Sequence, residues 1–167
     1  GALGQTTTSD SNTAFGFIAL TANTTGGSNT AFGSEAGSAT TTGNGNTFIG
    51  RQTAKTNTTG ANNTALGNGA FYTNTTGANN TACGLFAMYY NTTGSLNTAI
   101  GRDALLGNTT GGGNVGVGFN AGNNITTGDN NVVVGQQSTA SSATVSNEIT
   151  LGNSSHSSLR CNTQTIS

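Results

Sequence analysis

The chain has 167 residues, of which 5% are charged; it contains 27 glycines, no proline and no tryptophan. An ordinary soluble domain has roughly 25% charged residues. The formal net charge of −1 leaves no basic patch, which excludes nucleic acid as an electrostatic partner. No apolar run approaches the ~18 residues of a membrane span, so no membrane insertion is expected.

In chain order, the opening "GALGQTTTSD" lacks the basic start and apolar stretch of a signal peptide. The chain begins and ends in mid-pattern, which reads as a fragment or a processed product. Ala2 falls in the column of Ala19, and Thr7-Thr8 in that of Thr24-Thr25. Such polarity alone would suggest disorder, but a fixed period argues against it. The segment Asn57-Thr58-Thr59-Gly60-Ala61-Asn62-Asn63-Thr64-Ala65 returns as Asn74-Thr75-Thr76-Gly77-Ala78-Asn79-Asn80-Thr81-Ala82. One glycine recurs every 17 residues, at Gly16, Gly33, Gly50, Gly67, Gly84, Gly101, Gly118, Gly135 and Gly152. Four places before it stand Asn12, Asn29, Asn46, Asn63, Asn80, Asn97, Asn114 and Asn131, then Glu148.

Taking that asparagine as the first position, the second is Thr13, Thr30, Thr47, Thr64, Thr81, Thr98, Val115, Val132 and Ile149. The fourth is Phe15, Phe32, Ile49, Leu66, Cys83, Ile100, Val117, Val134 and Leu151. β-Branched residues favour strands, and alternate residues share a strand face. The expectation is a short strand whose fourth residue points into an apolar core. The column glycine then ends it, at positive φ or in a tight corner. A small column follows at Ala19, Ala36, Thr53, Ala70, Ala87, Ala104 and Ala121. Thr-Thr-Gly, from Thr24 to Gly128, is read as a second short strand and turn. Glycine and β-branched residues are poor helix formers, and no 3.6-residue stripe is present. The predicted fold is therefore all-β: a parallel β-solenoid, or β-roll, of about nine 17-residue coils. Coils ~4.8 Å apart make a rod of roughly 40–45 Å. Stacked asparagines can pair their amides along the rod, and stacked threonines can form methyl or hydroxyl ladders. A core this thin calls for association of several chains. The domain reading is a regular solenoid over 1–135, with divergent terminal coils and a C-terminal junction over 136–167.

The tail is informative by resemblance. Asn147-Glu148-Ile149-Thr150-Leu151-Gly152-Asn153, Leu159-Arg160-Cys161 and Thr165-Ile166-Ser167 resemble the segment just ahead of the endosialidase-type intramolecular chaperone of phage tail fibres and tailspikes. The Asn-Thr-Ala-x-Gly and Thr-Thr-Gly repeats are similar to the shafts of such fibres and, more distantly, to the β-roll heads of trimeric adhesins. The chaperone's Ser-Asp-x-Arg start is absent from this chain. The resemblance implies a homotrimer in a virion, assembled in the host cytoplasm, with the chaperone removed or lying outside this sequence. The alternative location is extracellular or at a cell surface.

Candidate chemistry is sparse. His156 is the single histidine and has no metalloprotease-type motif around it; it reads as a surface or chain-facing residue. Cys83 reads as a small buried hydrophobe. Cys161 stands four coils away, ~19 Å along the rod, which is too far for a disulfide within one chain; unpaired thiols suit a reducing cytoplasm. The carboxylates Asp10, Glu35, Asp103, Asp129 and Glu148 form neither a glycosidase pair nor a calcium loop. Arg51, Arg102 and Asp103 read as solvated corner charges. Nine sequons, at Asn23, Asn57, Asn62, Asn74, Asn79, Asn91, Asn108, Asn124 and Asn153, follow automatically from stacked Asn and Thr columns. Phe71, Tyr72, Phe86, Met88, Tyr89 and Tyr90, continued by Leu105 and Leu106, share one variable stretch. Flat rings pack on sugars, so this is a candidate patch for a cell-surface glycan or receptor, or, as the simpler reading, for a chain–chain contact.

No base, nucleophile, metal or cofactor constellation is evident, and an enzyme is not expected. The leading reading is a structural virion protein, the distal shaft of a trimeric tail fibre contributing to host attachment. A β-roll adhesin or extracellular filament is the alternative. An ice-binding solenoid is a third, which would need two outward threonine columns on one flat strand.

Overall fold

The computed structural model describes residues 1–4 and 10–158. Nine strands of three residues follow one another: β1 (Thr13–Phe15), β2 (Thr30–Phe32), β3 (Thr47–Ile49), β4 (Thr64–Leu66), β5 (Thr81–Cys83), β6 (Thr98–Ile100), β7 (Val115–Val117), β8 (Val132–Val134) and β9 (Ile149–Leu151). They form one parallel sheet in sequence order, every residue paired with its copy 17 places on. The chain is thus a parallel β-solenoid of about eight turns, and the described residues contain no helix. Ladder bonds of 2.8 Å join successive turns, as from Thr47 N–H to the Asn63 carbonyl.

Which face points inward differs from the sequence expectation. The fourth column faces out: Phe15 is 71% exposed, Ile49 43%, Ile100 44% and Leu151 53%; Phe32 and Val134 are also exposed, and Leu66, Cys83 and Val117 are half-buried. The interior receives the third position instead, with Ala31, Phe48, Ala65, Ala82, Ala99 and Val133 fully buried. The asparagine at the first position decides this. Asn46 Nδ2 donates to the Gly60 carbonyl of the next turn at 2.9 Å and to Asn29 Oδ1 at 3.0 Å. Asn29 Oδ1 also accepts the Asn46 backbone N–H at 2.9 Å. The same pattern recurs at Asn63, Asn80, Asn97 and Asn131. The carbonyls reached lie inside, so the first residue turns inward. Strand alternation then sends the third inward and the second and fourth outward.

The interior is narrow, and large side chains enter it singly. Leu20, Phe48, Phe71, Met88, Leu105, Ile125 and Val133 are wholly buried among alanines. Their bulk is offset by glycine in neighbouring turns. A Cβ on Gly37 would meet Phe48 Cδ2 at 2.7 Å, and one on Gly116 would meet Leu105 Cγ at 2.8 Å. Burying each such side chain contributes roughly 1.5–3 kcal/mol, which suffices only because the backbone and the asparagines bond from turn to turn.

A second asparagine ladder lines another corner. Asn74 Nδ2 donates to Asn57 Oδ1 at 2.7 Å, Asn91 to Asn74 at 3.0 Å and Asn108 to Asn91 at 2.8 Å. Each also donates to the carbonyl three residues on, as Asn74 to Gly77. The Thr-Thr-Gly segments do not form the expected second strand. The N–H groups of Thr58, Thr59 and Gly60 all converge on the Thr75 carbonyl, at 2.9, 3.2 and 3.3 Å. Converging donors need a bend, whereas a strand spaces them apart. Four places in each regular turn take positive φ, one of them the residue before the first-position asparagine, as Asn62 (φ 55). The column glycine holds φ near 130°, as Gly67 at 132°, where a Cβ would meet the Gly84 carbonyl at 2.5 Å. The remaining two are left-handed bends before and within the buried corner, as at Phe86 (φ 55) and Met88 (φ 51).

Candidate functional site

Two surfaces stand out. The first is the outward face of the sheet, where the fourth-position side chains form one apolar stripe from Phe15 to Leu151, beside the Thr and Val of the second position. Phe15 and Phe32 stack at 5.9 Å. No residue at the second or fourth position is charged. Cys83 lies in this stripe, half-buried and facing outward, where the sequence reading had it buried. Cys161 lies outside the described residues.

The second surface is the aromatic corner, which keeps four of its six predicted members. Phe71 and Met88 are core residues, because the left-handed bends on either side of the small column turn them inward. Leu105 is buried likewise. Tyr72 and Tyr89 stack at 4.9 Å with rings 10° apart. Phe86 and Tyr90 meet Tyr89 edge-on, at 5.4 and 4.9 Å. Phe86 fills space left by Gly69, whose Cβ would sit 2.7 Å from its ring. Phe86, Tyr89, Tyr90, Asp103 and Leu106 line an open groove of ≈ 300 Å³. Asp103 Oδ2 accepts from Arg102 Nε at 2.8 Å, and Arg102 lies over the Phe119 ring at 4.9 Å.

A polar chain extends the corner toward the N-terminus. Lys55 Nζ lies 5.8 Å from the Tyr72 ring centre and forms an ion pair with Glu35. The Lys55 hydrogen bond, helped by Gln52, holds the Glu35 carboxyl below the usual range, and the same bond raises Lys55. Burial, then the neighbouring Tyr72 and Tyr90, pushes the Tyr89 hydroxyl up. Glu148, which ends the first asparagine ladder, accepts from Ser141 N–H at 2.8 Å and Thr150 Oγ1 at 2.9 Å. Ser141 above all holds its carboxyl down.

The threonines are divided. Thr58, Thr75, Thr92 and Thr109 give their hydroxyls to carbonyls of the next turn at 2.9–3.0 Å. Their neighbours Thr59, Thr76, Thr93 and Thr110 are exposed. Five sequon asparagines, Asn23, Asn57, Asn74, Asn91 and Asn108, are buried. His156 Nδ1 accepts the Asn153 N–H at 3.0 Å and is exposed. Among the described residues no group of three His, Cys, Asp or Glu side chains could hold a metal ion, and no helix is long and apolar enough to cross a membrane.

Sequence reasoning missed the outward stripe. The available signal was the buried polar requirement of the first-position asparagines. No protein-family model, curated protein or solved structure matches the chain.

Proposed function

We propose that this chain is a structural rod, the distal shaft of a homotrimeric phage tail fibre that contributes to host attachment. One observation carries the reading: eight successive turns stack without a break in register. They form a rod of ~38 Å at ~4.8 Å per turn, rigid because backbone and side chain both bond along its axis. A shaft transmits position and load, and this architecture does so with a very small core. The tail residues from Asn147 to Asn153 support the phage assignment by resemblance; Leu159, Arg160, Cys161, Thr165, Ile166 and Ser167 lie outside the described residues. The aromatic corner supports a glycan contact in attachment. Ring faces stack on a sugar's apolar side, and Asp103 would accept from its hydroxyls.

Sedimentation of the purified chain tests the proposal. The expected result is a particle of three chains that survives heating in detergent. A single-chain particle at micromolar concentration overturns it.

A further inference from the structure

We infer that the outward stripe of the sheet is where a second copy of this chain packs, rod parallel to rod and turn facing like turn. This rests on the trimeric shaft proposed above and names the face that builds it.

Three observations converge on this occupant. The first is chemistry. Phe15, Phe32, Ile49 and Ile100 are 42–71% exposed on a face whose outward positions carry no charge. The charged residues of the described turns stand elsewhere: Arg51 and Arg102 just past the column glycine, Glu35 and Asp103 one place further on, Lys55 on the aromatic corner, Asp10 and Asp129 at the opposite bend, and Glu148 at the first position beside Ile149. The face therefore presents no charge that a covering partner would have to desolvate.

The second is geometry. The side chains recur at the inter-strand spacing of ~4.8 Å over eight intervals. A second copy has the same spacing, so each side chain finds an equivalent position opposite it, whereas an unrelated surface drifts out of step within a few turns.

The third is area. A strand of three residues is ~10 Å wide, so the stripe covers about 400 Å² along a ~38 Å rod. That is about the size of the largest apolar patch on a typical monomer, a patch that is often functional. A simple pair would bury only ~800 Å² in total, near the size of a packing contact. A ring of three lets each stripe touch two neighbours and brings in the next column at its rim, where Phe17 and Leu85 are exposed at 70% and 39% and Arg51 and Arg102 reach solvent.

In this arrangement Cys83, midway along the stripe, faces Cys83 of the neighbour. With Cys161→Ser, Cys83 is the single thiol, and a short bis-maleimide should join chains in pairs. In a Cys83→Ser, Cys161→Ser background, Ile49→Cys should also couple to itself, because parallel copies place like turns together. If Cys83 couples but Ile49→Cys does not, the copies are antiparallel about the midpoint and the parallel register is wrong. Ile49→Lys with Ile100→Lys should give single chains with unchanged circular dichroism, since both positions are already open to water. Thr59→Lys with Thr93→Lys, on another face, should leave association intact. If the natural chain associates, the stripe lysines leave it associated and Cys83 does not couple, this face is overturned while the trimeric shaft stands. If the natural chain sediments singly, both fall.

Discussion

Asn63→Asp isolates what the inner asparagine ladder contributes, because it changes one amide nitrogen to oxygen and almost nothing else. Asn63 is fully buried. Its Nδ2 donates to Asn46 Oδ1 at 3.2 Å and to the Gly77 carbonyl at 2.9 Å, while its Oδ1 accepts the backbone N–H and Nδ2 of Asn80 at 3.0 and 3.1 Å. Aspartate keeps the accepting oxygen but aims its second oxygen at two others. Full burial raises a carboxyl by up to 3–5 units. Taking about 3 units, because the Asn80 donors remain, gives a pKa near 7 and a loss of about 4 kcal/mol at pH 7. The sign follows from linkage. The folded carboxyl binds its proton more tightly than the unfolded one, so the deficit is full above about pH 7 and shrinks as pH falls toward about 4. Protonated, the side chain donates again to one of its facing oxygens. Thermal melts followed by circular dichroism should show the variant about 8–16 °C below the natural chain at pH 7, with most of the gap closed at pH 4 relative to the natural chain at the same pH. Asn63→Ala, which leaves the Asn80 N–H without an acceptor, should cost about 1–3 kcal/mol with no such pH dependence. An aspartate variant that melts with the natural chain at pH 7, or whose deficit is unmoved by acid, refutes the account. The chain's own acid in this column is consistent with it: Glu148 stands at the last strand, half-buried and supplied with donors by Ser141 and Thr150.

Phe48→Ala should cost about 3–5 kcal/mol by opening a cavity. Gly37→Ala, destabilising beside Phe48, should be far better tolerated in the Phe48→Ala background, and additive melting shifts would disprove their contact. Gly67→Ala adds a strained φ costing about 1–3 kcal/mol to a clash with the Gly84 carbonyl, so its melting temperature should fall further than that of an exposed control such as Asn68→Ala. Lowering of the Glu35 carboxyl means its pair with Lys55 stabilises the rod above the ordinary carboxylate range, and this is lost as pH falls through the depressed value. Glu35→Gln should therefore flatten the acid limb of the melting curve, and an unchanged limb would show that the pair contributes nothing.

The repeat made the period, the register and the strand positions legible from sequence. With no insertion between Asn12 and Gly152, only one stacking lets every column meet itself, and the nine strands fall there. The column glycine was legible as a strand end at positive φ or in a tight corner, because glycine alone takes such backbone freely; the structure adds the next turn's carbonyl that a side chain there would strike. The tertiary structure alone decided which side of the strand is inside. Thr13 and Phe15 alternate with Asn12 and Ala14, and hydrophobicity by itself puts phenylalanine within. The closed turn reverses that choice: its interior presents carbonyls such as those of Gly60 and Gly77, so it takes amides that can donate, with alanine methyls packed beside them. The same closure split the aromatic run, drawing Phe71 and Met88 into the core and leaving Tyr72, Phe86, Tyr89 and Tyr90 outside. Stacking is a relation between equal residues and can be read along the chain. Inside and outside are properties of the closed cross-section, and no single turn exists until its neighbours bond to it.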